Sequence, residues 1–144
     1  MGNILIENGK EVGALSGPTS ASNCMLSDGV TSVESALTYS ETEHVVGKWI
    51  DGSNIYEKTV NFGALPNTTT KSVDAGISNL KRLIDIRGYA YNGSTCLMIP
   101  RLAISNENAQ ITLDLYSGNI QIQTGVDRSA YTECYITLRY TKSA

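Results

Sequence analysis

The stretch QITLDLYSGNIQIQTGV, residues 110–126, carries the clearest structural signal in the chain. Its apolar residues alternate with polar ones on both sides of a short polar centre: Ile111, Leu113, Leu115, Ile120 and Ile122. Alternation with a period of two is typical of strands that bury one face, because successive side chains point to opposite faces. We predict a β-hairpin here, with its turn at Gly118-Asn119.

The C-terminal stretch YTECYITLRYTK, residues 131–142, shows the same period. One face of this predicted strand carries Cys134, Ile136, Leu138 and Tyr140. The other face carries Glu133, Tyr135, Thr137 and Arg139. The first set is mostly apolar and the second mostly polar, as in the other predicted strands.

Upstream of the hairpin, residues 80–94 alternate over most of their length and predict another strand. Arg87, Tyr89 and Tyr91 would lie on one face of it, as a row of one guanidinium and two phenol rings. The following apolar run is interrupted by Pro100, which lacks a backbone N–H and therefore belongs at a sheet edge or a bulge.

A second hairpin is predicted where VVGKWID (residues 45–51) and NIYEKTVNF (residues 54–62) flank Gly52-Ser53. A Gly-X pair suits a two-residue type II′ turn. In that register Trp49 would lie opposite Tyr56, and an aromatic pair would brace the hairpin.

About seven strands separated by turn signals make an antiparallel, jelly-roll-like β-sandwich the predicted fold of residues 41–144, with a β-barrel as the alternative. Residues 1–40 hold few large apolar side chains and are predicted to be a connector and oligomerisation segment. Within this segment we expect a small hairpin between Ile4–Glu7 and Lys10–Ala14, closed by Asn8-Gly9, and a short helix within residues 27–37.

Composition excludes several classes of function. The net charge of −3 provides no basic surface for nucleic acid. No apolar run approaches the ~20 residues that insert into a membrane, and the first residues do not resemble a secretory signal peptide. Three widely spaced cysteines and a single histidine predict reduced thiols, no metal site and no cofactor.

The search for catalytic residues yields little. His44 stands beside Glu43 with no nucleophile motif nearby, and we interpret it as a surface residue. Asp85, Asp114 and Glu133 fall on predicted strands and could form a glycosidase pair, but acidic residues are numerous enough for such pairs to arise by chance. We therefore predict that the chain is not an enzyme and has no catalytic residues.

Aromatic composition points to binding instead. Eight tyrosines and one tryptophan accompany a single phenylalanine, so most rings carry a polar group suited to wet surfaces and interfaces. The candidate ligand-binding residues are Trp49, Tyr56, Arg87, Tyr89 and Tyr91. The alternative is that these rings pack in the sandwich core and their hydroxyls reach backbone partners.

Three stretches carry a family resemblance: NCMLSDGVTSVESAL (residues 23–37), VVGKWIDGSNIYEKTVNFGALPNTTTKSV (residues 45–73) and TGVDRSAYTECYITLRYTK (residues 124–142). They resemble the C-terminal head or tip domains of phage and prophage tail-fibre, baseplate and other tail-associated virion proteins. The resemblance brings no catalytic residue set. It implies a homotrimer, other virion tail proteins as partners, and a virion location after synthesis in the host bacterial cytoplasm without a signal peptide.

Three hypotheses follow. The first is a non-enzymatic, tail-associated virion protein that contributes to binding of a host-surface receptor, with a bacterial surface glycan as the ligand. The second is a purely structural virion subunit whose aromatic residues are subunit contacts. The third is a hydrolase domain that degrades surface polysaccharide.

Overall fold

The structure, a computed structural model, describes Asn3–Glu7, Lys10–Leu15 and residues 38–144. The chain divides into two compact units, Met1–Thr38 and Tyr39–Ala144. In the first unit, β1 (Asn3–Glu7) pairs antiparallel with β2 (Lys10–Leu15), and a register shift lies between Leu5 and Ile6. The predicted N-terminal hairpin is therefore confirmed. The predicted turn at Asn8-Gly9 and the predicted helix within residues 27–37 lie outside the described residues.

The second unit contains two antiparallel sheets. The five-stranded sheet has the order β3-β4-β10-β6-β7, and its strands are β3 (His44–Lys48), β4 (Asn54–Asn61), β6 (Leu80–Tyr91), β7 (Cys96–Ile99) and β10 (Glu133–Lys142). The three-stranded sheet has the order β5-β9-β8, and its strands are β5 (Thr70–Asp74), β8 (Ile111–Tyr116) and β9 (Asn119–Thr124). A 3-10 turn, Glu107–Ala109, precedes β8.

One hydrophobic core joins the two sheets. The three-stranded sheet contributes Ile111, Ile120 and Ile122, and the five-stranded sheet contributes residues that include Leu97, Ile99, Cys134, Ile136, Leu138 and Tyr140. All nine side chains are at least 95% buried. Burial of apolar surface contributes roughly 25 cal/mol per Å², so this layer supplies the main stabilising force of the unit. The predicted antiparallel β-sandwich is confirmed.

Most predicted strand positions are confirmed in detail. The faces of β10 are those that its alternation predicts, because its four apolar residues from Cys134 to Tyr140 are fully buried. β7 ends at Ile99, directly before Pro100, and forms one edge of its sheet, which is where a residue without an N–H can be accommodated.

The β8–β9 turn differs by one residue from the prediction. Tyr116 pairs with Asn119, so the turn is Ser117-Gly118, and both residues have positive φ, +50° and +81°. A type I′ turn requires positive φ at both central positions, and Gly118 accepts it at the second position without steric cost.

The predicted β3–β4 register is wrong. Val45 pairs with Tyr56 and Lys48 with Asn54, so Trp49 does not face Tyr56 and the loop is five residues long, 49–53. Within the loop the Gly52 N–H donates to the Trp49 carbonyl at 2.9 Å, and the Ser53 N–H donates to the Asp51 carboxylate at 3.0 Å. Aspartate side chains stabilise such local turns, and this one displaces the two-residue turn that the Gly-Ser pair suggests.

Candidate functional site: a groove on the outer face of the five-stranded sheet

The face of the five-stranded sheet that points away from the core, called here the outer face, is built by strand alternation. Since Ile136 and Leu138 of β10 point into the core, their neighbours Tyr135, Thr137 and Arg139 point outward. The same alternation turns residues of β4, β6 and β7 to this face, and the strand registers align them in rows that run across the sheet.

The first row is aromatic and apolar. Met98 of β7 lies opposite Tyr89 of β6, and Tyr89 lies opposite Tyr135 of β10. The two tyrosine rings have their centroids 6.0 Å apart with an interplanar angle of 31°, within the range of favourable aromatic pairs. Met98 is 65% exposed. The row thus presents two half-buried phenol rings and an accessible thioether side chain.

The second row carries hydroxyl groups. Arg87 lies opposite Thr137, and Thr137 lies opposite Thr59 of β4. The hydroxyls of Thr59 and Thr137 form a buried hydrogen bond of 2.9 Å. The Thr59 N–H donates to the Ser40 carbonyl at 2.8 Å, which fixes the segment before β3 beside this row.

These two rows form the floor of an open groove of about 820 Å³. Tyr39, Ser40 and Glu41 border it on one side, and the ring of Tyr39 is 64% exposed. The volume lies within the roughly 300–1,000 Å³ that is usual for ligand sites. The groove therefore has the size and the mixture of apolar and hydroxyl groups of a binding site.

The charges at the groove are mostly paired. Arg87 forms an ion pair with Asp85 at 3.1 Å. The Tyr89 hydroxyl donates to the Glu133 carboxylate at 2.8 Å, and this bond raises the pKa of Tyr89 to about 12. Tyr89 is therefore a neutral hydrogen-bond donor at physiological pH, and its ring is held in a fixed orientation.

A third row beside the groove is ionic. Arg139 Nε lies 2.6 Å from the carboxylate of Glu57, which is 3% exposed, and the His44 Nε2 atom lies 4.0 Å from the same carboxylate. The His44 side chain is only 10% exposed, so the interpretation of His44 as a surface residue is wrong. The strand register pairs His44 on β3 directly with Glu57 on β4.

The five predicted ligand-binding residues are not all brought together. Arg87 and Tyr89 line the groove. Tyr91 lies on the same face but is not among the lining residues, and its hydroxyl donates to the Gly93 carbonyl at 2.6 Å. Their assignment as ligand-binding residues stays a prediction.

The two remaining candidates lie elsewhere. Trp49 is half-buried in the β3–β4 loop, with the Arg82 guanidinium 5.7 Å from its ring centroid. Tyr56 packs against the core and stacks on Tyr140, with ring centroids 6.1 Å apart. Tyr56 thus lies on the face of the sheet opposite to the groove.

Sequence reasoning missed Tyr135, Met98 and Thr59 as groove residues. The signal for Tyr135 was present, because the alternation of β10 assigns it to the non-core face. Met98 and Thr59 could not be found in this way, since only the strand registers place them beside Tyr89 and Thr137.

Other kinds of site are not found in the described part of the chain. It contains no cluster of three or more His, Cys, Asp or Glu residues able to hold a metal ion. No helix within it is long and apolar enough to cross a membrane. Of the described cysteines, Cys96 is exposed at the groove and Cys134 is buried, and burial raises the pKa of the Cys134 thiol to about 12.

Comparisons with known proteins return no match among protein-family models, curated proteins or solved structures. The resemblance to tail-associated virion proteins therefore stays a prediction.

Proposed function

We propose that this chain is a non-enzymatic, tail-associated virion protein of a phage or prophage, and that its groove contributes to binding of a bacterial surface glycan. The observation that carries the binding proposal is the groove of about 820 Å³ with Tyr89, Tyr135 and Met98 in one row and threonine hydroxyls in the next. The virion assignment is supported by the three stretches that resemble tail-associated proteins.

The chemistry of the groove suits a saccharide. A pyranose ring has a face of C–H groups that packs on phenol rings, and hydroxyls around its edge that exchange hydrogen bonds with polar side chains. Tyr89 and Tyr135 supply the rings, and Arg87 supplies donors at the edge of the groove. Pockets with an apolar lining and a few placed polar groups are the usual form of small-ligand sites.

Weak binding at one groove is sufficient if several copies act together. We propose that the chain forms a homotrimer and contacts other virion tail proteins. Linked sites raise the avidity by about 10²–10⁴ without any new contact. Light scattering on the purified chain tests this part, and a mass of three times 15.5 kDa is expected. A monomeric mass would contradict the trimer.

The binding proposal is tested on a printed array of neutral, amino and acidic oligosaccharides with the labelled full chain. Tyr135→Ala should reduce binding by about tenfold or more, whereas Tyr116→Ala should not. Tyr116 is a matched control because it is 68% exposed on β8 of the other sheet, outside the groove.

A Trp49→Ala variant in the same assay separates the groove from the other aromatic candidates. Unchanged binding supports the groove as the site, since Trp49 does not line it. If Trp49→Ala abolished binding while Tyr135→Ala bound fully, the assignment of the groove as the binding site would be contradicted.

A second candidate function is a purely structural virion subunit. Leu102 and Ile104, in the segment between β7 and β8, are 85% and 100% exposed, and exposed large apolar side chains often mark protein contacts. Under this hypothesis Leu102→Glu with Ile104→Glu lowers the mass measured by light scattering, and no saccharide on the array binds.

A further inference from the structure

The apolar row of the groove runs across three strands of the sheet. Met98, Tyr89 and Tyr135 belong to three neighbouring strands, β7, β6 and β10, and are direct cross-strand partners. Neighbouring strands lie about 4.7–4.9 Å apart, and the ring centroids of Tyr89 and Tyr135 are 6.0 Å apart. The distance between successive rings of an extended pyranose chain lies between these two values. The row therefore offers successive apolar contacts at the spacing of successive sugar rings, and it runs perpendicular to the strands.

The two ends of the row differ in rigidity. Tyr89 and Tyr135 are half-buried and contact each other, and the Tyr89 hydroxyl is held by Glu133. Fixed rings lose little conformational entropy when a ligand binds. Met98 lies on the edge strand, is 65% exposed and has an unbranched, adaptable side chain. The rings therefore form the primary contact, and Met98 extends it outward by one position.

The charge at the groove disfavours anions. Arg87 is already paired with Asp85, and the carboxylates of Glu41 and Glu133 lie at the border of the groove and beside Tyr89. With the ionic row beside the groove included, the charged side chains described here are two cations, Arg87 and Arg139, against four carboxylates: Asp85, Glu41, Glu57 and Glu133. All of these groups lie within reach of a bound ligand on the scale of the Debye length, about 8–10 Å at moderate ionic strength. A ligand with a carboxylate or phosphate on each unit would be repelled.

We infer that the groove binds an uncharged, linear oligosaccharide that crosses β7, β6 and β10 along the Met98–Tyr89–Tyr135 row, and that it rejects anionic saccharides. This inference rests on the proposed function, and it adds the class of the ligand and the direction in which the ligand lies. Two rings would stack on the tyrosines, and a third would reach Met98.

The first test uses defined probes and isothermal titration calorimetry on the full chain. The probes are neutral hexose and N-acetylhexosamine oligomers of one to six units and oligogalacturonates of the same lengths. The affinity of neutral oligomers should rise by about tenfold or more between one and three units and then level off. Oligogalacturonates should bind at least about tenfold more weakly than the neutral oligomers of equal length.

Variants test the direction of the ligand. Tyr89→Ala should weaken binding of neutral oligomers of every length. Met98→Ala should weaken binding of three-unit and longer oligomers and leave shorter ones unchanged, because only the third ring reaches β7. Leu102→Ala is the matched control, since it truncates another exposed apolar side chain that does not line the groove. Near-ultraviolet circular dichroism establishes that each variant keeps the native packing.

The outcomes separate this inference from the proposed function. Oligogalacturonates that bind more tightly than neutral oligomers, with the gain lost on Arg87→Gln, would overturn the inference and leave glycan binding intact. The proposed direction of the ligand would be overturned if affinity did not depend on oligomer length. It would also be overturned if Met98→Ala weakened the binding of oligomers of all lengths equally. Absence of binding by every probe and every glycan of the array would overturn the proposed function itself.

Discussion

The two faces of β10 are stabilised by different kinds of interaction. Inward-facing Cys134, Ile136, Leu138 and Tyr140 are completely buried in the shared core. Outward-facing Tyr135, Thr137 and Arg139 instead make specific pairwise contacts with Tyr89, Thr59 and Glu57. The comparison shows that the inner face is stabilised mainly by collective burial, with individual partners only at Tyr140, which stacks on Tyr56 and donates to Glu43. The outer face is organised by individual partners throughout.

This division follows from the position of β10 in the sheet. β10 lies between β4 and β6 and pairs with both along most of its length. The inner face of β10 therefore belongs to the core and its outer face to the groove. A change on the inner face should affect stability most, and a change on the outer face should affect ligand binding most.

The largest effect is expected from truncation of the inner face. Leu138→Ala removes a side chain that is fully buried at the centre of the core, and we expect a loss of about 2–5 kcal/mol in the free energy of unfolding. Urea unfolding followed by the fluorescence of the single tryptophan measures it, because Trp49 belongs to this unit. Tyr116→Ala, on an exposed surface, should stay within about 0.5 kcal/mol of the wild type.

Gly88→Ala should affect both the core packing and the groove. A Cβ at Gly88 would collide with the Tyr135 carbonyl oxygen and lie 2.5 Å from the Ile136 side chain, so β6 and β10 must move apart. We expect a loss of about 1–3 kcal/mol in unfolding free energy, together with weaker ligand binding at the groove.

Gly47→Ala is the matched control for this prediction, since the added Cβ meets nothing within 4 Å. Equal unfolding free energies for the Gly88→Ala and Gly47→Ala variants would contradict the close packing of β6 against β10.

The threonine pair tests the outer face alone. Thr59→Val leaves the buried hydroxyl of Thr137 without its partner, and we expect a loss of about 1 kcal/mol in unfolding free energy. The double variant Thr59→Val with Thr137→Val removes both hydroxyls and should recover most of that loss. A double variant whose loss equals the sum of the two single losses would show that the hydroxyls do not interact.

The smallest effect is a pH dependence at the start of β3. Burial raises the pKa of Glu43, but hydrogen bonds from Lys142 and Tyr140 outweigh it and hold the pKa below its usual value of 4.5. A carboxylate with a depressed pKa in the folded state stabilises the protein fully above pH 4.5, and this contribution is lost as the pH falls through the folded-state pKa.

Glu43→Gln should therefore be less stable than the wild type at neutral pH, and the difference should shrink as the pH falls below 4.5. Urea unfolding between pH 3 and 7 measures the difference, with Glu41→Gln as the neighbouring control. A difference that stays constant across this pH range would contradict a role for the Glu43 charge.

Strand positions and faces were predictable where one side of a strand is buried. A period of two in β8, β9 and β10 identifies the core residues directly, because a slip of one residue would move every apolar side chain into water. The candidate site was predictable only along a single strand. Arg87 and Tyr89 on β6 follow from that alternation, whereas their partners Thr137 and Tyr135 depend on how β10 aligns with β6.

The β3–β4 loop shows where local reasoning fails. A Gly-Ser pair suggests a two-residue turn, but the Asp51 side chain and the positive φ of Gly52, +82°, close a loop of five residues. The change of register separates Trp49 from Tyr56 and leaves Trp49 beside Arg82. Competing turns differ by small free energies, so neighbouring strands decide between them.

By itself the sequence determined an antiparallel β-protein, the inward faces of its strands and a net negative charge, because these depend on local periodicity and on total charge. Only the tertiary structure decided that Met98, Tyr89 and Tyr135 form one row and that Thr59 meets Thr137. The reason is physical: side chains on different strands become neighbours through backbone hydrogen bonding between segments far apart in the chain, and alternation within one strand carries no information about that alignment.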